Sequence, residues 1–388
     1  MDAAQGDGSL QPGTVTLCKK LFFSLVLCGG LVVATEVLIR CYDAVAALGR
    51  APDEATGGAV PGLTIKDPFL QYRLKPGYAG RTLGSDIGVS SVGFRGDEFA
   101  KAKSPGRFRI VTMGDSTTFG AGASTNASTY PAQLEKLLRH AFPKLNCEVI
   151  NAGIPGYNSL QVLILLETEI LELKPDLVII FIGWNDLGAS TFDPWRPNYA
   201  FGMDERFRRV KKPRSLLRRA VAQSRVAVKL YLMLFEKRKP TADDLIRRAE
   251  MAEYPLNKEA VDVYRRNLRS IVNVLKGERI RCLLVTWPSF LDREMPYEAK
   301  KLMTFSLQHS PRLSLRGWYE LHGLYDRAIR EVGEELNVPV VDNGKLFPTE
   351  NRHRLFVDVA HLTDEGNAIL AGNVLETMKQ HRLLPSDA

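Results

Sequence analysis

An α/β fold, with a parallel sheet covered by helices on both faces, is what this sequence predicts, and three observations predict it. From Arg107 onward, short β-branched and apolar runs alternate with stretches whose apolar residues recur at helical spacing. Several of those runs stop abruptly at Gly, Asn or Asp, as buried strands do when they hand polar side chains to a cleft. The chain also has room for such a domain, with 388 residues of which 45% are hydrophobic and 25% charged.

Residues 1–18 are rich in Gly, Ala, Gln and Asp and are expected to form a disordered tail. Lys19-Lys20 then precede an apolar stretch from Leu21 to Ile39, and residues 19–41 are read as a membrane span. At about 1.5 Å per residue, such a segment matches a hydrocarbon core of about 30 Å. Glu36 sits near one end, where its charge can reach the interface. An uncleaved single-pass anchor is the first reading. A signal peptide cleaved near Val32-Val33-Ala34 comes next and a buried helix last. The lysine pair favours a cytoplasmic N-terminus and a catalytic domain on the extracytoplasmic side, although Arg40 and Arg50 blunt that asymmetry.

Residues 42–66 lack a clear period and read as a linker, and residues 67–104 have the strand and turn character of a small β-rich lead-in. Arg95 within it is expected to be structural or solvated. The main domain is placed at 105–383. Its first strand is Ile110 to Met113, followed by a helical stripe through Tyr130, Leu134, Leu138 and Phe142. Cys147 to Asn151 is the second strand, Leu160 to Leu171 a helix, and Leu177 to Ile182 the third strand. Val261 to Leu275 carries the next stripe. Strands at Cys282–Thr286 and Val338–Val341 follow, and a helix runs from about Asp364 to His381, with Thr363 as a candidate cap.

Two stretches interrupt this order, an insertion at 187–256 and an irregular segment at about 288–315. Loops of that length are commonly lids or binding elements. The insertion is basic from Arg206 to Arg219, then amphipathic through Val226, Leu230, Met233 and Leu234. It reads as a helix with a solvated basic face, as a lid, or as a paddle resting on anionic lipid.

The formal net charge of +8 permits contact with anionic surfaces without specifying one. No nucleic-acid motif, zinc-spaced Cys/His set, internal repeat or Walker-type loop is present, so those classes are not expected. Cys147 and Cys282 fall inside expected strands and read as core thiols.

The chemistry is carried by residues at strand ends. In an open parallel sheet, ligands sit beyond the carboxyl ends of the strands. Ser116 in Gly114-Asp115-Ser116 follows the first strand, Gly153 the second, and Asn185 in Gly183-Trp184-Asn185-Asp186 the third. Near the C-terminus, Asp358-Val359-Ala360-His361 places an acid three residues before a histidine. These are the base and orienter that an unactivated hydroxyl needs. Each motif taken alone also suits an ordinary turn or cap.

Taken together and in this order, the four blocks resemble the SGNH/GDSL hydrolase superfamily over about Arg107 to His381. That resemblance implies a three-layer α/β/α, flavodoxin-like fold and acyl-ester chemistry without metal or cofactor. It implies Ser116 as nucleophile, His361 as base and Asp358 as orienter. It further implies an oxyanion hole formed by the Ser116 and Gly153 N–H groups and the Asn185 amide. Asp115 and Asp186 are expected to hold the loops, and Trp184 to line the pocket. The substrate expected is an acyl ester, foremost a short-chain ester of envelope carbohydrate. An O-acyltransferase, or a lipase, lysophospholipase or thioesterase, remains open, and a non-catalytic binding component is disfavoured by the intact motifs. Oligomeric state is not encoded legibly.

Overall fold

The structure is a computed structural model that describes residues 12–48, 60, 62–82, 84–191, 195–198, 224, 226, 240–252, 256–310 and 313–385. The chain divides into two compact units, residues 1–53 with 209–239 and residues 54–208 with 240–388.

In the first unit, helix α1 covers Pro12–Leu48. It therefore extends past both ends of the expected span and takes up part of the expected tail and linker. After Gly13, nothing in these flanks breaks a helix until beyond Leu48, so helix and apolar segment need not end together. Lys19–Cys41 is long and apolar enough to cross a membrane, and its apolar side chains stand exposed, Phe23 at 73% and Leu25 at 72%. Glu36 accepts from Arg40 Nε at 2.8 Å through one oxygen, and from Ser224 Oγ and the Val226 N–H at 2.9 Å through the other. The carboxylate thus binds two residues of the insertion within the same unit. The basic run Arg206–Arg219 and Leu230, Met233 and Leu234 lie outside the described residues.

The second unit opens with two antiparallel hairpins, β1 (Thr64–Asp67) with β2 (Gln71–Leu74) and β3 (Ala79–Thr82) with β4 (Ser85–Gly88). There follow β5 (Phe108–Gly114), α2 (Ser116–Phe119), α3 (Tyr130–Ala141) and β6 (Cys147–Gly153). Next come α4 (Ser159–Leu165), β7 (Leu177–Phe181) and α5 (Trp184–Ser190). After the insertion come α6 (Ala242–Met251), α7 (Lys258–Gly277), β8 (Arg281–Val285), α8 (Tyr297–Leu302) and α9 (Thr304–His309). The chain closes with α10 (Leu315–Glu335), β9 (Val340–Val341), α11 (Asn343–Leu346) and α12 (Asp364–Gln380).

Strands β6-β5-β7-β8-β9 form one parallel sheet in that spatial order. Numbered by first appearance in the sheet, the order is 2-1-3-4-5, the flavodoxin-like arrangement, whose ligand cleft opens where the order reverses, between β5 and β7. Every residue of β5 and of β7 is buried, as expected for strands covered on both faces. Helices α3 and α12 pack together on one face, and α4, α7 and α10 on the other. Ser116 and Asn185 leave the sheet on the two sides of the reversal point.

Three expectations of detail change. The helix after β6 is α-helical only through Leu165 and continues as a π turn, Leu166–Ile170, and a 3-10 turn, Leu171–Leu173, an offset that keeps Leu166, Ile170 and Leu173 all buried. The segment at 288–315 holds α8 and α9. Helix α10 was not anticipated, because Gly317, Gly323 and Gly333 mask a stripe of Trp318, Leu321, Tyr325, Ile329 and Val332 that is nevertheless buried.

Candidate active site

The turn after β5 is built around Asp115. Its side chain is fully buried, and its Oδ1 accepts from the Thr117 N–H at 2.8 Å and the Thr117 hydroxyl at 2.7 Å, capping α2. Thr118 Oγ1 donates to the Phe181 carbonyl at 2.8 Å, tying the turn to the end of β7. Burial raises the Asp115 carboxyl pKa, against the Thr117 hydrogen bonds. Ser116, the next residue, is left half-buried on the cleft side.

The C-terminal loop closes over it. Phe356 bridges Leu362, and the Val357 N–H donates to the His361 carbonyl at 2.9 Å, so residues 357–361 form a narrow loop before α12. Thr363 caps α12 by accepting from the Gly366 N–H at 3.2 Å. Asp358 Oδ1 accepts from the Ala360 and His361 N–H groups at 2.9 Å each, and its Oδ2 lies 2.7 Å from His361 Nδ1. The Asp-x-x-His spacing is explained by this double duty, one oxygen folding the loop and the other orienting the ring. His361 Nε2 then stands 2.7 Å from Ser116 Oγ. Gly122, at φ +98°, makes the approach possible, since a Cβ there would lie 2.7 Å from the Leu362 carbonyl and 2.8 Å from Val357.

Burial disfavours the His361 imidazolium, but the Asp358 hydrogen bond and the charges of Asp358 and Asp115 outweigh it, so the histidine pKa lies above its ordinary value. Asp358 lies below the usual carboxylate range, because its hydrogen bonds and the His361 charge overcome its own burial.

Asn185 lies in the first turn of α5, where Nδ2 donates to the Tyr157 carbonyl at 2.9 Å. One amide hydrogen is thereby committed and the other is left for a ligand. Asp186 accepts from the Ser159 N–H at 2.9 Å and from its hydroxyl, joining α5 to the start of α4, and burial pushes its carboxyl up to about 7. Trp184 stacks on Trp318 at 5.9 Å and meets Trp287 edge-on at 5.6 Å.

A family model described as GDSL-like Lipase/Acylhydrolase matches residues 112–369, more than half of the chain. The chain belongs to this family. It is accordingly an ester-hydrolysing enzyme with an α/β fold. No curated protein matches the chain. Among solved structures it is similar to the acetyl xylan esterase AlAXEase, at 17% identity over 69% of this chain and 98% of that one, with a TM-score of 0.38. Axe2, an acetylxylan esterase from Geobacillus stearothermophilus, is 20% identical over 70% of this chain and 94% of its own, with a TM-score of 0.40. The lipase/acylhydrolase from Enterococcus faecalis is 20% identical over 72% and 100%, with a TM-score of 0.41.

In this GDSL-like hydrolase, the N–H of one expected oxyanion donor is already committed. Gly153 is the last residue of β6, buried, and its N–H already donates to Asn151 Oδ1 at 3.0 Å. A second glycine, Gly156, follows in the turn Ile154-Pro155-Gly156-Tyr157, closed by the Tyr157 N–H donating to the Ile154 carbonyl at 3.2 Å. With proline second and Gly156 third at φ +83°, the turn has type II character. The Pro-Gly dipeptide was the sequence signal that could have found it.

Arg95 is structural in this hydrolase. At 2% exposure, its guanidinium donates to the Phe119 and Gly120 carbonyls at 3.1 and 3.0 Å, to Ser85 Oγ at 2.8 Å and to Asn126 Oδ1 at 2.9 Å. It therefore satisfies carbonyls at the end of α2, the helix that Ser116 begins.

Proposed function

We propose that the chain is a membrane-anchored serine esterase that removes short acyl groups, such as acetate, from carbohydrate through an acyl-serine intermediate on Ser116. The observation that carries this reading is the 2.7 Å contact of Ser116 Oγ with His361 Nε2, in line with the 2.7 Å contact of His361 Nδ1 with Asp358. His361 takes the Ser116 proton as Oγ attacks the ester carbonyl, then returns it to the alcohol as the carbon–oxygen bond breaks. Water, deprotonated by His361, attacks the acyl-enzyme and releases the acid with free Ser116.

The tetrahedral oxyanion is met by the N–H groups of Ser116 and Gly156 and the Asn185 amide, each donor worth on the order of 10²–10³ in rate. Gly156 takes this place from Gly153 because the Pro155 carbonyl accepts from the Tyr72 hydroxyl at 2.7 Å. In the planar trans peptide, the Gly156 N–H points opposite to that carbonyl and away from the lead-in. The span at Lys19–Cys41 with Lys19-Lys20 before its apolar run supports an anchor with the catalytic unit on the extracytoplasmic side.

The full chain in detergent is expected to react with a serine-directed fluorophosphonate at Ser116 and to release free acetate from acetylated oligosaccharides. Folded protein that is never labelled contradicts the acyl-serine route, and exclusive transfer of acetate to added sugar contradicts hydrolysis. Because the base must be neutral and Asp358 and Asp115 favour the imidazolium, kcat/KM should rise with pH through a midpoint above the ordinary histidine value of about 6.5. A pH profile with its midpoint below that value removes Asp358 from its role.

A further inference from the structure

Beyond the carboxyl ends of β8 and β9, on the same sheet edge as Ser116, lie two clefts of ≈ 590 and ≈ 640 Å³. They share Leu256, Arg293 and Glu320 and so run as one groove along α10. Trp287 and His322, 2% and 7% exposed, floor its inner part with ring centroids 5.3 Å apart. Trp287 Nε1 and His322 Nε2 are buried there without a hydrogen-bond partner. Buried polar groups of this kind are costly to leave unsatisfied, and two on one groove floor mark a place where a ligand can supply the partners. Burial, reinforced by Arg330 and Arg352, pushes the His322 pKa down to about 3, so its ring is neutral and able to donate or accept.

The walls carry charge, most of it already paired. Arg330 is held by Asp342 and Asp326, Arg352 lies 3.9 Å from Asp292, Arg316 binds Glu320, and Lys300 binds Glu250. Arg293 and Arg327 have no ion-pair partner among the described residues, and both face the inner cleft, while Glu294 lies on the outer one. The floor also connects to the candidate catalytic groups. The Trp184 ring lies 5.6 Å from Trp287 and 6.2 Å from His322, and the next residue is Asn185.

We infer that this groove binds a segment of oligosaccharide bearing an acidic sugar. Side-chain shifts on binding uncover Trp287 Nε1 and His322 Nε2 to its hydroxyls, and its carboxylate is taken by Arg293 and Arg327. The inference rests on the esterase reading only in making this segment the alcohol part of the ester. An aromatic floor with polar donors suits a sugar ring, and a long polar groove suits a linear chain better than a buried alkyl tail.

Calorimetric titration of the full chain in detergent micelles with tetragalacturonate, and with neutral xylotetraose, tests it. Tetragalacturonate is expected to bind at least about tenfold more tightly than xylotetraose and to weaken with added salt. The exposed double variant Arg293→Ala/Arg327→Ala should lose about tenfold in that affinity, and Trp287→Phe, which keeps the ring but not the N–H, a few-fold. Equal affinity for the two sugars, or an unchanged affinity in the double variant, overturns the proposal. The Ser116→Ala chain should bind tetragalacturonate like the parent. Binding without any ester turnover would then fault the esterase reading alone, and turnover without binding would fault the groove alone.

Discussion

Replacing Ser116 with alanine is expected to lower kcat by about 10⁴–10⁶-fold while leaving the fold intact. The side chain is half-buried, and its oxygen contacts His361 Nε2 at 2.7 Å. The turn itself is held by Asp115 and Thr118, through Thr117 and the Phe181 carbonyl, and not by the Ser116 side chain. Removing one oxygen therefore deletes the atom proposed to attack and leaves the strand-to-helix geometry in place. Turnover of p-nitrophenyl acetate by the full-length variant, beside its thermal unfolding curve, separates the two effects. A folded variant retaining more than about a hundredth of parental kcat would mean that the acyl group never passes through Ser116.

The second large effect is on stability and lies outside the catalytic groups. Arg95→Leu is expected to destabilise the catalytic unit by about 3 kcal/mol, because it deletes the buried bonds to the Phe119 and Gly120 carbonyls, Ser85 Oγ and Asn126 Oδ1 and removes the guanidinium 4.7 Å over the Phe119 ring. The gain from no longer burying a charge offsets part of this, since burial already lowers the Arg95 pKa to about 10. Denaturant unfolding followed through the far-ultraviolet signal measures it. A change below about 1 kcal/mol would show that Arg95 fills space and little else.

Ser116, Asn185 and the Asp358/His361 pair could be singled out as candidates because each is tied to a local punctuation mark, a strand end or a helix start, that survives in one dimension. The sheet was legible for the same reason, its strands being buried on both faces and hence unbroken in the sequence. Gly156 was harder to find than Gly153. Both follow the same strand, and only the hydrogen bond from the Gly153 N–H to Asn151 separates the committed glycine from the available one. Helix α10 was hidden by its glycines, and Arg95 by the long sequence distance to Phe119, Gly120 and Asn126, whose carbonyls it satisfies. The groove could not be read at all, because Trp287, His322 and Arg327 meet only once β8 and α10 are packed together.

The bond from the Tyr72 hydroxyl to the Pro155 carbonyl spans 83 residues, and the Tyr157 hydroxyl returns one to the Tyr72 carbonyl at 2.5 Å across 85. On the ribosome, the first hairpin therefore emerges well before the turn that will hold it. Until Tyr157 has left the exit tunnel, Tyr72 has no partner there, and neither does the peptide that aims the Gly156 N–H. At synthesis rates of about 5–20 residues per second, that is a wait of several seconds with an apolar hairpin face uncovered. Assembly of the cleft edge thus waits on residue 157 of 388, and the lead-in spends that interval as a natural client for whatever shields nascent chains.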